Sequence, residues 1–162
     1  MTISVGDTLP AGTLLQMGAN GAEKVDLGAK LKGRNVVIFG LPGAYTGTCT
    51  TSHVPSFMRV MDKLKAKGVD EVICLAVNDP FVMKAWGEST GAAAAGISFL
   101  ADGDASFTKA IGQEFSVPHL AFFDRSKRYA LYAVDGVVKV LNQGEETNAC
   151  EISGGETMLN AI

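Results

Sequence analysis

The sequence predicts an α/β fold in which a central mixed β-sheet carries helices on both faces. Three observations lead there. Two continuous apolar runs, Val36-Val-Ile-Phe39 and Val72-Ile-Cys-Leu-Ala-Val77, have the composition of strands buried on both sides in a parallel-type sheet. Between them Val54, Phe57, Met58, Met61 and Leu64 recur at helical spacing along one face. Towards the end, Arg128-Tyr-Ala-Leu-Tyr-Ala-Val134 and Val137-Val-Lys-Val-Leu141 flank Asp135-Gly136, the pattern of an antiparallel hairpin with a two-residue turn.

Taken in order, the first stretch offers short β-like pieces around Leu14-Leu-Gln-Met17 and Lys24-Val-Asp26, separated by the turn formers Asn20-Gly21. The first buried strand follows and stops before Pro42. A long helix is expected over residues 48–67, with Gly68 as its stop. Pro55 removes a backbone N–H that would bond the carbonyl of Thr51, so a kink is expected after the first turn. After the second strand, Asn78-Asp79-Pro80 supplies a cap and a proline at the first helical position, opening a helix that runs through Trp86. Phe99-Leu-Ala101 reads as a third strand, and Asp104 as the cap of a helix ending at Gly112. Ser153-x-x-Glu156 has the form of a capping box, predicting a terminal helix to Ile162. Parallel crossovers followed by an antiparallel hairpin describe a thioredoxin-like architecture. With no repeat or linker along the chain, residues 1–162 are expected to form one domain.

Composition narrows the function. Of the 162 residues, 47% are hydrophobic and 19% charged, which excludes a disordered chain. A net charge of −3 provides no electrostatic footprint for nucleic acid. The best apolar run ends at Pro42, far short of the roughly 20 residues a membrane helix needs, and the first residues carry no export pattern. The three cysteines, Cys49, Cys74 and Cys150, lack C-x-x-C spacing, so a reducing, cytoplasmic setting is expected rather than a disulfide framework. His53 and His119 show no metal-ligand spacing, and no nucleotide-binding or G-x-S-x-G motif matches, so neither metal nor organic cofactor is expected.

Chemistry is expected at Cys49. It lies where the first buried strand gives way to the long helix, the carboxyl end of a parallel strand, where open α/β folds place their ligand sites. Unpaired amides at the helix start favour a thiolate over a thiol. A cysteine is commonly a small buried hydrophobe, but Tyr45-Thr-Gly-Thr48 makes a polar turn ill-suited to burying one. Taken without any wider pattern, Thr46 and Thr48 read equally well as helix caps, and Arg128 as a surface charge in the cluster Arg125, Lys127, Arg128.

The stretch Phe39-Gly-Leu-Pro-Gly-Ala-Tyr-Thr-Gly-Thr-Cys49 resembles the peroxiredoxin active-site motif P-x-x-x-T-x-x-C, through Pro42, Thr46 and Cys49. His53-Val-Pro-Ser-Phe57, Val77-Asn-Asp-Pro-Phe-Val-Met-Lys-Ala-Trp86, Phe99-Leu-Ala-Asp-Gly103 and Asp135-Gly-Val-Val-Lys139 resemble further landmarks of the type II group, so the likeness covers nearly the whole chain. One departure is Gly47, where that group usually has proline.

The resemblance implies a thiol-dependent peroxidase that reduces hydrogen peroxide and alkyl hydroperoxides without cofactor, in antioxidant defence and redox homeostasis. It implies Cys49 as the attacking thiolate, Arg128 rather than Arg125 as the donor to sulfur and peroxide, Thr46 as the group orienting the oxygens, and Pro42 as a wall. Cys49 would become a sulfenic acid recycled by a thiol reductant: glutaredoxin with glutathione, or thioredoxin. Cys74 matches the second cysteine of plant type II enzymes, and Cys150 lies near the resolving cysteine of animal relatives. Cys150, after Glu145-Glu-Thr-Asn148, is slightly favoured, while direct attack by an external thiol stays open. A homodimer packed through loops beside the site is also implied. Two other readings compete: a hydrolase or transferase pairing Cys49 with His53, four residues on, and a redox sensor or binding module that oxidises without cycling. His119, after Pro118, is expected to be structural or at the surface.

Overall fold

The computed structural model describes residues 2–144 and 149–162. Strands β1 (Thr13–Gly18) and β2 (Gly21–Asp26) form a hairpin whose register pairs Gly18 with Gly21, so Ala19 and Asn20 make the turn and Gly21 opens β2 at φ +108°. Helix α1 (Leu27–Leu31) comes next, capped by Asp26, whose carboxylate accepts from Ala29 N–H. Its five residues are too few to show a period in the sequence. Then come β3 (Asn35–Gly40), a π-helical turn (Cys49–His53), α2 (Val54–Met58), α3 (Met61–Ala66) and β4 (Glu71–Ala76). The chain continues through α4 (Pro80–Ser89), β5 (Ser98–Ala101) and α5 (Ser106–Ala110). A small hairpin of β6 (Glu114–Val117) and β7 (Phe122–Ser126), bridged by a 3-10 turn (Pro118–Leu120), stands outside the main sheet. Finally β8 (Tyr129–Val134) and β9 (Val137–Asn142) form the expected hairpin, and α6 (Gly155–Ala161) the terminal helix.

The main sheet has seven strands in the order β2-β1-β5-β4-β3-β8-β9. Strands β5, β4 and β3 run parallel, and the flanking pairings are antiparallel, which is the expected mixed sheet. Alternation along β3 splits the core in two. Val37 and Phe39 face a cluster with Phe57, Leu64, Trp86 and Met158, so α2, α3, α4 and α6 cover that face. Val36 and Ile38 face a second cluster with Leu27, Leu31, Phe107 and Ile111, beneath α1 and α5. No helix among the described residues is long and apolar enough to cross a membrane.

Three local expectations are corrected. The helix over residues 48–67 is three pieces. Its first turn is π-wound, with Val54 N–H bonding Cys49 C=O, and Pro55 follows directly in α2, so the widened turn lies where the proline interrupts the hydrogen-bond ladder. A further break comes at Val60 (φ −113°, ψ 6°), before α3. The main cap of α5 is Asp102 rather than Asp104. Buried Asp102 accepts from Phe107 N–H at 3.2 Å and Thr108 N–H at 2.7 Å, whereas exposed Asp104 accepts from Ser106 N–H at 3.0 Å. The capping box is not formed: α6 starts after Gly154 with no side-chain cap, and Glu156 pairs with Arg59 at 2.7 Å.

Replacing Asp102 by Ala therefore strands two buried amides and is expected to destabilise the fold by about 2–4 kcal/mol, against about 1 kcal/mol or less for Asp104→Ala. Urea titrations of the two variants check this, and equal losses would contradict the assignment of the cap.

Candidate active site

The site is built where β3 ends. Gly40 pairs with Tyr129 of β8, and a Cβ there would run into the Tyr129 ring, so only glycine leaves room for that ring over the strand. This antiparallel register brings Arg128, the residue before β8, beside the exit of β3. Beyond that exit the chain forms a loop tied down from several sides. Pro42 C=O accepts from Arg125 Nη1 at 2.9 Å, and Ala44 N–H donates to Asn78 Oδ1 at 3.0 Å. Thr46 Oγ1 donates to Gly43 C=O at 2.7 Å, which commits its proton and leaves its oxygen as an acceptor. Thr50 N–H bonds Thr46 C=O at 3.1 Å, leading into the π-helical turn that begins at Cys49.

Cys49 is only 1% exposed and Arg128 only 3%. Arg128 Nη2 donates to Cys49 Sγ at 3.2 Å, so the sulfur sits in an apolar cluster but faces a guanidinium. Arg128 Nη1 lies 2.9 Å from His53 Nδ1, and His53 Nε2 lies 3.0 Å from Ser153 C=O. A carbonyl only accepts and a guanidinium only donates, so His53 carries its proton on Nε2 and accepts at Nδ1. Burial, reinforced by the charge of Arg128 and partly offset by Ser153, pushes the His53 pKa down to about 3.

Pro42, Thr46, Cys49 and Arg128 are brought together and, with Leu120 and Phe122, line one cleft of about 250 Å³. Cys74 is fully buried on β4, paired in register with Phe39, and shares the core cluster of Cys49. Burial raises its pKa well above the usual thiol range, reinforced by Cys49 and only partly opposed by Arg128. Cys150 is half-buried, and residues 145–148, the loop expected to carry it, lie outside the described residues. His53 contacts Arg128 rather than the sulfur, so the Cys–His pair considered from their four-residue spacing is not formed. His119 is exposed.

Arg125, set aside in favour of Arg128, and Asn78, read as part of a helix cap, prove to tie down the cysteine loop, and Leu120 and Phe122 join the site without any signal in the sequence. The first two act by hydrogen-bonding the loop from distant elements, and the last two come from the small hairpin, whose polar-rich strands carry little hydrophobic signal. Arg125 also stacks over Phe122, its guanidinium carbon 4.9 Å from the ring centre.

Comparison with known proteins identifies the family. The Redoxin family matches residues 4–159. The chain is 44% identical over 161 residues to Peroxiredoxin-2C of Oryza sativa subsp. japonica, covering 99% of this chain and 98% of the relative. It is 46% identical over 165 residues to the chloroplastic Peroxiredoxin-2E-2 of the same plant, covering 99% of this chain and 73% of the relative. Among solved structures, reduced Prx3 of Vibrio vulnificus in complex with hydrogen peroxide superposes with a TM-score of 0.90 at 44% identity, covering 99% of both chains. Fold, cysteine loop and full-length similarity agree, and the chain belongs to the peroxiredoxins, in their type II group.

Proposed function

We propose that this peroxiredoxin is a thiol-dependent peroxidase in which Cys49 attacks hydrogen peroxide and alkyl hydroperoxides with the help of Arg128, Thr46 and Pro42. The observation that carries the assignment is Arg128 Nη2 at 3.2 Å from Cys49 Sγ, at the base of a cleft open to a small substrate. In the reaction the thiolate sulfur bonds to one peroxide oxygen and the O–O bond breaks. The departing oxygen takes the electron pair and then a proton, leaving as water or an alcohol, and Cys49 becomes a sulfenic acid. Negative charge moves from sulfur to oxygen, and a guanidinium already aimed at the sulfur stabilises both ends of that movement. Thr46, its proton held by Gly43, accepts from the peroxide O–H and orients it, while Pro42 closes one wall without offering a competing N–H.

A thiol reductant then condenses with the sulfenic acid, releasing water and forming a disulfide. Our reading favours Cys150 over Cys74 as an internal partner, because Cys150 is only half-buried and Cys74 is sealed in the sheet with its thiol held protonated. Glutaredoxin with glutathione, or thioredoxin, would return the enzyme to its reduced state. A homodimer packed through loops beside the site, and a cytoplasmic location, complete the proposal. Exposed Tyr45 and Leu120 on those loops support the first, and the odd cysteine count supports the second.

The hydrolase reading is disfavoured, because neither ring nitrogen of His53 faces Cys49 and the ring stays neutral far below pH 7. A non-cycling sensor is separated from an enzyme by turnover with added thiol.

Cys49→Ser is expected to abolish peroxide consumption, and Arg128→Ala to slow the peroxide step by about 10²–10³-fold. Peroxide-dependent thiol oxidation assays check both, and full activity in Cys49→Ser would end the proposal. Mass spectrometry after one equivalent of peroxide should show a 49–150 disulfide that is absent in Cys150→Ser and present in Cys74→Ser. Sedimentation should show a dimer; monomer in every redox state would remove that part. The unfolded chain protonates His53 near 6.5, whereas the folded one does so only near 3. Its contribution is therefore complete above pH 6.5 and is lost as pH falls towards 3, at about 1.4 kcal/mol per pH unit. Stability of His53→Gln, measured by urea unfolding at pH 7 and pH 4.5, should fall less steeply with acid than that of the wild type.

A further inference from the structure

We infer, building on the peroxidase reading, that His53 is a positioning residue through which the C-terminal segment, residues 149–162, sets the aim of Arg128 at Cys49. A continuous path joins the two: Cys49 Sγ to Arg128 Nη2 at 3.2 Å, Arg128 Nη1 to His53 Nδ1 at 2.9 Å, and His53 Nε2 to Ser153 C=O at 3.0 Å. Both outer links require the same tautomer, with the proton on Nε2 and Nδ1 accepting from Arg128. The link to Ser153 anchors the Nε2 side of the ring, so that losing it frees the ring to turn Nδ1 away from the guanidinium.

What holds Ser153 in place is the docking of α6. Ser56 Oγ accepts from Gly155 N–H at 2.9 Å and donates to the carbonyl of His53 itself at 2.6 Å. A Cβ on Gly155 would run into the backbone carbonyl of Ser56, so the helix start sits directly on the active-site helix. Further along, Glu156 pairs with Arg59 at 2.7 Å, and Lys67 Nζ donates to the carbonyls of Leu159 and Ile162 at 2.9 and 2.7 Å. Cys150 lies three residues before Ser153, and its carbonyl packs against Gly154. Drawing Cys150 towards Cys49 therefore pulls on the carbonyl that orients His53, and the peroxide-ready arrangement relaxes as that movement occurs.

The test is the second-order rate of Cys49 with hydrogen peroxide, followed by emission of Trp86, the single tryptophan, whose Nε1 donates to Thr50 Oγ1 at 3.1 Å. The proteins are the wild type, Gly155→Ala, His53→Leu, His53→Gln and the double variant Gly155→Ala/His53→Leu. Gly155→Ala, remote from sulfur, is expected to slow the peroxide step by about 10–100-fold with KM for the thiol reductant unchanged. His53→Leu should slow it comparably, and the double variant should be no slower than His53→Leu. His53→Gln should recover part of the rate, since an amide offers both an acceptor and a donor. A wild-type rate in Gly155→Ala, an equal factor for that substitution in both backgrounds, or His53→Gln as slow as His53→Leu would overturn the inference. A wild type inert to peroxide would instead sink the peroxidase reading on which it rests. Where Gly155→Ala fails a circular-dichroism check of folding, Ser56→Ala takes its place, removing the acceptor of Gly155 N–H without added bulk, and the same outcomes decide.

Discussion

The structure turns on a buried guanidinium. Arg128 is almost wholly removed from water, and a cation in that position costs several kcal/mol unless its N–H groups meet acceptors. Two of them are the Cys49 sulfur and a neutral imidazole nitrogen. The same requirement makes the sulfur useful: excluded from bulk water, it meets a fixed donor instead of a reorganising solvent shell. It also explains why His53 works only as a neutral ring, since a second cation between Arg128 and Ser153 would repel the first.

The sheet makes that contact possible by register. Gly40 opposite Tyr129 sets the exit of β3 beside the start of β8, so two residues 79 apart in sequence meet without any long side-chain excursion. The π-wound turn at Cys49–His53 belongs to the same economy of space. It accommodates Pro55 at the next turn and places Cys49 facing the cleft while His53, four residues on, reaches round to the other nitrogen of the same arginine.

The three cysteines sit in three environments. Cys49 shares its cluster with Cys74 but lines the cleft and has a guanidinium at hydrogen-bonding distance. Cys74, locked against Phe39 and Phe99 in the sheet register, is a hydrophobe whose thiol burial keeps protonated. Cys150 belongs to the segment whose carbonyl at Ser153 closes the hydrogen-bonded path to the site.

Strong periodic or continuous apolar patterns were enough to identify β3, β4, the β8–β9 hairpin and the helical face of residues 48–67, because burial against a sheet imposes those patterns on the residues themselves. The motif through Pro42, Thr46 and Cys49 was legible for a similar reason: its loop is local, and its chemistry resides in named side chains. The small β6–β7 hairpin, the capping of α5 by Asp102, and the partition of the long helix were not legible. Each depends on partners distant in sequence or on backbone groups common to every residue. Spacing allowed His53 to face Cys49, but only the packed chain decided that its ring turns to Arg128 and Ser153, because a tautomer is chosen by the hydrogen bonds around it and those come from two segments far from it in sequence. The apolar patterns of the chain carry the class of fold, and its cysteine loop points to Cys49 as the candidate nucleophile; which groups surround that sulfur is settled by tertiary contacts, since those distances lie within no single stretch of chain.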